Sequence, residues 1–124
     1  MATDDELKMA ARQFDAPDER RPFPRGHTDV ITIGGVTLGL ATFEPGWRWS
    51  ETIKPIAGTE SCEVNHVGYM VSGRMAARMN DGAEMEFREG DLVLIPPGHD
   101  GWTVGDEPAV FLQILGAAMY AKKT

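Results

Sequence analysis

Residues 67–95 of the chain read VGYMVSGRMAARMNDGAEMEFREGDLVLI. Apolar and polar side chains alternate along parts of this stretch, most clearly from Ala83 to Arg88. Three short turn sequences interrupt it: Ser72-Gly73, Asn80-Asp81-Gly82 and Glu89-Gly90. Alternation at period two is typical of strands with one buried face, and glycine-containing pairs are typical of tight turns. The stretch therefore predicts several short antiparallel strands, with residues 66–71 and 74–79 paired across Ser72-Gly73.

The same pattern continues on both sides of this stretch. Gly34-Gly35 separates two β-branched runs and predicts a two-residue hairpin. No segment between these runs is long enough for the crossover helices of a parallel sheet. The pattern favours a sandwich or small barrel. The predicted strands are residues 27–33, 36–43, 47–53, 67–71, 74–79, 83–87, 91–95, 102–104 and 109–115.

The N-terminal part has a different character. Thr3 and Glu6 have the spacing of a capping box, and apolar residues follow at helical spacing as far as Phe14. The proline at Pro17 ends the predicted helix, because the residue before a proline is disfavoured in the α conformation. Residues 18–26 contain two prolines and predict an extended connector. The chain is thus divided into a helix and arm (1–26), a β-barrel (27–118) and a tail (119–124).

Composition excludes several classes of function. The chain has 124 residues, enough for one domain, with 19 acidic and 12 basic side chains and a net charge of −7. Such an acidic chain is a poor partner for nucleic acid or an anionic membrane. No apolar run reaches the roughly 20 residues of a membrane span. A single cysteine, Cys62, excludes an internal disulfide, and we expect a cytoplasmic protein.

Candidate metal ligands lie close together in the sequence. Along an extended strand Glu60, Cys62 and His66 would share one face. Carboxylate, thiolate and imidazole are the side chains that bind first-row transition metals. A lone cysteine is more often a small buried apolar residue, so both interpretations stay open. A Cys-His nucleophile is a third, although residues four apart on one strand touch only if the strand bends.

Residues 62–74 (CEVNHVGYMVSGR) and 90–99 (GDLVLIPPGH) resemble the two motifs of the cupin superfamily. The framework glycines and proline, Gly73, Gly90, Pro96 and Gly98, match that family without gaps. The resemblance covers about residues 36–115 and implies an all-β double-stranded β-helix, the jelly-roll barrel. Together with the residue pattern, it predicts an all-β jelly-roll barrel with a short N-terminal α-helix.

The resemblance also implies a metal site, with the ligand types permuted. Counting from the framework glycines puts His66 at the family's glutamate position and Gly101 at its third histidine position, two residues after the actual histidine. The predicted metal ligands are Glu60, Cys62, His66 and His99. They would hold one divalent ion of zinc, iron, manganese or nickel, with no organic cofactor. The alternative is a barrel that has lost its metal and kept its cavity.

Aromatic residues predict a ligand-binding wall, since small-molecule pockets are mostly apolar and aromatic. The predicted ligand-binding residues are Trp49, Tyr69, Trp102 and Lys54, the last as an anchor for an anionic ligand. The alternatives are tryptophans in the core or a dimer interface and a solvated surface lysine.

The predicted function is binding of a small molecule inside the barrel, with catalysis left undecided. The alternatives are a metal-free barrel that senses a metabolite or sugar, and a structural dimerisation module. A homodimer is expected, because sheet edges need cover and the arm around Phe23 could reach a neighbour. The resemblance implies the same, since small cupins commonly pair sheet to sheet.

Overall fold

The structure is a computed structural model that describes residues 8–115. Within this range no helix is long and apolar enough to cross a membrane. The regular structure of the described part is mainly β-strand, with two single-turn helices between the third and fourth strands. The elements are β1 Glu19–Phe23, β2 Gly26–Ile33, β3 Val36–Phe43, α1 Trp49–Thr52, α2 Lys54–Ala57, β4 His66–Ser72, β5 Arg74–Met79, β6 Glu84–Arg88, β7 Leu92–Ile95, β8 His99–Val104 and β9 Ala109–Leu115.

The strands form two antiparallel sheets. One has six strands in the order β1-β2-β3-β9-β4-β7, and the other has three in the order β6-β5-β8. The apolar core lies between them and contains Phe43, Met70 and Phe111 from the larger sheet and Met75 and Phe87 from the smaller one. The predicted all-β jelly-roll architecture is confirmed. The two sheets remain separate and do not join by hydrogen bonds into one closed barrel.

Two of the predicted turns have the predicted role. Gly34 and Gly35 both have positive φ, 59° and 76°, and join β2 to β3. These are the dihedrals of a type I′ hairpin, which only glycine and a few polar residues adopt readily. Gly82, also at positive φ, lies in the turn that joins β5 to its partner β6.

The predicted pairing of residues 66–71 with 74–79 is wrong. β4 pairs with β7 and β9, whereas β5 pairs with β6 and β8 in the other sheet. Ser72-Gly73 is therefore the corner at which the chain passes between sheets. Gly73 has a φ of 74°, and a Cβ there would lie 2.1 Å from the carbonyl oxygen of Pro108. A glycine at a close crossing and a glycine in a hairpin give the same sequence signal.

The predicted strand over residues 47–53 is also wrong. Arg48 and Trp102 form an isolated bridge, and the chain then turns into α1 and α2. Pro55 lies at the start of α2, where its missing N–H is not needed, and Gly58 ends the helix in the left-handed conformation. These local signals outweigh the period-two aromatic pattern.

The N-terminal prediction needs a similar correction. Residues 8–15 contain no helix, while residues 1–7, with the predicted capping box, lie outside the described range. A short helix needs an apolar face packed against the protein. Residues 8–13 are exposed, so no such face is buried. The predicted extended connector contains β1, which pairs with β2 of its own chain. The predicted tail, residues 119–124, is not described.

Candidate functional site

Three potential metal ligands meet between the two sheets. Cys62, His66 and His99 are each 4% exposed or less. One ligand atom from each lies within 4.8 Å of the other two. Cys62 Sγ lies 3.4 Å from His66 Nε2, and the two imidazole ring centres are 5.0 Å apart. Among residues 8–115, this is the group of three such side chains with the geometry to hold one ion.

The local fold explains how residues four apart come into contact. His66 is the first residue of β4, but residues 63–65 are not in a strand, so Cys62 and His66 do not belong to one continuous strand. Cys62 is held instead by an isolated antiparallel bridge to His99. The Cys62 N–H donates to the His99 carbonyl at 2.8 Å, and the Gly98 N–H donates to the Cys62 carbonyl at 2.7 Å. The predicted extended strand over 60–66 is therefore wrong, although two of its three residues do converge.

Both imidazoles are held by a hydrogen bond through Nδ1. His66 Nδ1 donates to the side-chain oxygen of Gln113 at 2.9 Å, and His99 Nδ1 donates to the Pro96 carbonyl at 2.6 Å. A carbonyl or amide oxygen can only accept, so Nδ1 carries the proton in each ring. Nε2 then keeps its lone pair. Histidines that bind a metal through one ring nitrogen usually donate a hydrogen bond from the other ring nitrogen to an oxygen, as both rings do here.

Burial keeps all three groups uncharged in the absence of a metal. It raises the pKa of the Cys62 thiol to about 11. The pKa of His66 is lowered to about 4, mainly by burial; the hydrogen bond to Gln113 opposes this shift and the nearby His99 adds to it. The pKa of His99 is lowered as well, again mainly by burial. At neutral pH the cluster is one thiol and two neutral imidazoles, which is opposite to the thiolate–imidazolium pair of a cysteine nucleophile.

A small apolar cavity adjoins the cluster. The cavity has a volume of about 20 Å³, which leaves room for one or two water molecules. Within residues 8–115, the indole N–H of Trp47 is buried without a hydrogen-bond partner, and the ring of Trp47 lines this cavity. Besides His66 and His99, the lining residues are Phe43, Trp47, Trp49, Met75, Ala77, Ile95, Gly101, Phe111 and Gln113.

The structure places the fourth predicted ligand away from the cluster. The Glu60 side chain is 95% exposed and accepts a hydrogen bond from Lys54 Nζ at 3.0 Å. Lys54 is thereby engaged at the surface and does not line the cavity. The expectation that Glu60 would lie in the barrel interior depended on the extended strand, whereas residues 59–61 form bends. Lys54, predicted as an anchor for an anionic ligand, lies in α2 and pairs with Glu60 instead.

The predicted aromatic wall is only partly assembled. Trp49 lines the cavity. Tyr69 is exposed on the outer face of β4, because it is three residues from inward-facing His66 and alternation turns it outward. Trp102 is outside the cavity lining and packs beneath the Arg48 guanidinium, 4.4 Å from its ring centre.

Sequence reasoning missed Gln113, which is 1% exposed. The signal was present in residues 109–115, AVFLQIL, where Gln113 shares the inward face with Ala109 and Phe111. A polar side chain at an inward position of an apolar strand needs a partner. Gly101, which the resemblance put at the family's third histidine position, does line the cavity. A Cβ at Gly101 would lie 3.8 Å from the Trp47 ring, so Trp47 packs at that position.

Comparisons with known proteins agree with this architecture. The profile of the EutQ-like cupin domain matches residues 35–110, more than half of the chain. No curated protein matches the sequence. A protein of unknown function from Rhizobium leguminosarum bv. viciae 3841 is 20% identical over 88% of this chain and 97% of its own, with a TM-score of 0.63.

Two further solved structures are similar. A protein of unknown function from Acidithiobacillus ferrooxidans is 18% identical over 91% of this chain and 98% of its own, with a TM-score of 0.60. Oxalate decarboxylase from Bacillus subtilis is 24% identical over 80% of this chain, with a TM-score of 0.53, but only 28% of its own length is covered. At such identities the similarity concerns the fold alone.

Proposed function

Because this chain belongs to the EutQ-like cupin domain family, we propose that it uses the interior between its two sheets to bind one divalent transition metal. The ligands are Cys62, His66 and His99, and a remaining coordination position faces the cavity for a small molecule. The observation that carries the proposal is the convergence of three buried donors, with both imidazoles held through Nδ1.

The donor set and its spacing fit zinc well. Zn–S distances near 2.3 Å and Zn–N distances near 2.0 Å place two donors of a tetrahedral ion about 3.5 Å apart. Cys62 Sγ and His66 Nε2 are already 3.4 Å apart. The ligand atoms that lie farthest apart are separated by at most 4.8 Å. A side-chain shift of about 1 Å would bring them to the spacing that zinc needs. A thiolate with two imidazoles favours zinc over manganese, which prefers oxygen ligands.

Charge suggests what the small molecule is. Binding of a divalent ion converts the Cys62 thiol to a thiolate, because a metal-bound thiol loses its proton. Two positive charges and one negative charge leave a net charge of +1 in an apolar cavity. We infer that the open position takes an anionic or strongly polarised oxygen ligand, which would also offer an acceptor to the Trp47 N–H.

The size of the cavity restricts this ligand. The cavity volume is about 20 Å³. A cavity of this size holds a water, a hydroxide or a molecule of similar size. A metabolite enters only if part of the wall moves. When bound, the ion would act as a Lewis acid toward that ligand. Around it, apolar side chains line the cavity, and Gln113 and the Pro96 carbonyl orient the two imidazole rings.

The alternative is a metal-free sensor module. One observation favours it: the contact between Cys62 and His66 is a complete hydrogen bond without any ion. A cysteine nucleophile is disfavoured because burial raises the pKa of the Cys62 thiol to about 11. The proposed site also needs a reduced thiol, which agrees with the predicted cytoplasmic location.

Metal analysis separates these functions. The full chain is purified without chelators and its metal content is measured. The metal-free protein is then titrated with zinc in competition with a chromophoric chelator. We expect one zinc per chain, with affinity lowered at least about 100-fold in Cys62→Ser and His66→Ala. Glu60→Gln is the matched control, since Glu60 is exposed and bound to Lys54. Unchanged zinc binding in both ligand variants would contradict the proposal and leave the metal-free module.

A further inference from the structure

Residues 49–61 form a loop that leaves strand β8 and returns to it. Arg48, just before the loop, bridges Trp102, and Cys62, just after it, bridges His99. These two β8 residues are three positions apart, so the ends of the loop lie only about 10 Å from each other. The loop contains α1 and α2 and no strand. A loop of this length with neighbouring ends is an Ω-loop, a kind of surface loop that is frequently functional.

The beginning of the Ω-loop is attached to β8 by one carboxylate. Backbone N–H groups in α1 and α2 donate to carbonyls of the loop itself or of Arg48, so these bonds do not join the loop to a sheet. The Ser50 N–H donates to Asp100 Oδ1 at 3.0 Å, and Arg48 Nη1 donates to Asp100 Oδ2 at 3.2 Å. Helices of one turn are unstable without contacts to the rest of the protein. Asp100 therefore holds α1 in place.

The Ω-loop supplies one wall of the cavity beside the candidate metal site. This wall is Trp49, which is 2% exposed. Apart from Trp47 and Trp49, the residues that line the cavity lie on strands of the two sheets. The Trp47 carbonyl accepts a hydrogen bond from the Thr103 N–H at 3.0 Å, so Trp47 is tied to β8. Displacing a strand breaks the hydrogen bonds of a sheet, whereas displacing Trp49 does not. Local opening of the cavity is therefore easiest at Trp49.

We propose that the Ω-loop is a lid over the candidate metal site and that Asp100 keeps this lid closed. The inference rests on the proposed function, because the molecule that the lid admits is the small ligand of the metal. The closed cavity of about 20 Å³ has room for water and not for a metabolite. Opening exposes Trp49 and Ile53, which are at most 2% exposed in the closed state. The open state is therefore a minor one.

Cys62 is the single cysteine and reports lid opening in the metal-free protein. It directly follows the Ω-loop, and its Sγ lies 3.4 Å from His66, which lines the cavity together with Trp49. Because Cys62 is 2% exposed, iodoacetamide reaches it only when the structure opens. The alkylation rate is measured with a chelator present at increasing urea concentrations below the unfolding transition. Since a local opening exposes little surface, we expect a rate in the wild type that is almost independent of urea.

Substitutions at the attachment point identify the part that opens. Asp100→Ala removes the acceptor of both hydrogen bonds and should raise the alkylation rate about 10-fold or more. Asp100 also raises the pKa of the Cys62 thiol, so its removal would speed alkylation to some extent without any opening. Arg48→Gln removes a positive charge, which has the opposite electrostatic effect on the thiol. An increase in this variant therefore reports opening, and we expect one of several-fold.

Glu86→Gln is the matched control. It removes an arginine–carboxylate pair of similar length, 3.1 Å to Arg74, between β5 and β6 and outside the Ω-loop. The alkylation rate should change by less than about twofold, and circular dichroism should show the same fold in all variants.

Three results would overturn the proposal. They are a wild-type rate that rises with urea as steeply as global unfolding, an unchanged rate in Arg48→Gln, and an equal increase in Glu86→Gln. Because the protein is metal-free throughout, a failure to bind zinc would contradict the proposed metal site and leave the result on the lid intact.

Discussion

Acid is expected to destabilise the metal-free protein through His66. Burial lowers the pKa of His66 in the folded state to about 4, from an ordinary value of 6.5. In the unfolded chain the imidazole titrates near its ordinary value, so between these pH values the unfolded state binds one more proton. The stability that the neutral ring contributes is fully present above about pH 6.5 and is lost as the pH falls toward 4.

The size of the loss follows from the two pKa values. They differ by about 2.5 units, and each unit corresponds to about 1.36 kcal/mol. The loss from His66 is therefore about 3 kcal/mol once the pH is below 4. Domains of this size are stable by about 5–15 kcal/mol in total. The protonation of one buried ring would thus remove a substantial fraction of the free energy of unfolding.

Urea unfolding with a chelator present measures this effect. The free energy of unfolding is compared between about pH 7.5 and pH 4.5 in the wild type and in His66→Gln. Glutamine is neutral at both pH values, so the substitution changes the free energy of unfolding equally at both. This change cancels when the two pH values are compared. The contribution of His99 remains in both proteins. We expect the variant to lose about 2–3 kcal/mol less than the wild type, and an equal loss in both proteins would refute the reasoning.

Three other substitutions are expected to have distinct effects. Gln113→Leu should lower zinc affinity about 10- to 100-fold in a chelator competition, because His66 loses the hydrogen-bond partner of its Nδ1. The circular dichroism spectrum should not change, and an unchanged zinc affinity would mean that the His66 ring does not need this hydrogen bond. Gly68→Ala should lower the free energy of unfolding by about 3 kcal/mol, since its Cβ would lie 2.1 Å from the Leu112 carbonyl oxygen; an unchanged thermal melt would contradict this. Glu60→Gln should change zinc affinity by less than about twofold, as expected for an exposed ion pair, and a large loss would place the carboxylate at the metal.

Much of the β-structure could be predicted from the sequence, because it depends on local signals. The Gly34-Gly35 hairpin and the turn at Gly82 follow from positive-φ positions between alternating runs. The sheet to which each strand belongs depends on distant contacts. The corner at Gly73 shows this, because the backbone of Pro108 and the crossing between sheets determine its role. A sequence window around residue 73 contains neither.

The candidate site was partly predictable for the same reason. Cys62, His66 and His99 have the side-chain chemistry of metal ligands, and they were predicted from that chemistry together with strand parity and the two cupin-like motifs. Their contact depends on a stretch over residues 63–65 that is not in a strand and on a bridge to β8, which strand parity does not describe. Bends over residues 59–61 precede Cys62, and Glu60 lies at the surface. Gln113 lies 47 residues after His66, so only the three-dimensional structure reveals that they are partners.

The most direct measurement of the central claim is the number of protons released when zinc binds. Calorimetry at about pH 7 in buffers of different ionisation enthalpy gives this number. Burial raises the pKa of Cys62 to about 11 and lowers that of His66 to about 4, so in the metal-free protein only the thiol must lose a proton. We expect the wild type to release one proton more per zinc than Cys62→Ser. Equal release by the two proteins, or no zinc binding by the wild type, would contradict a cysteine-ligated metal centre.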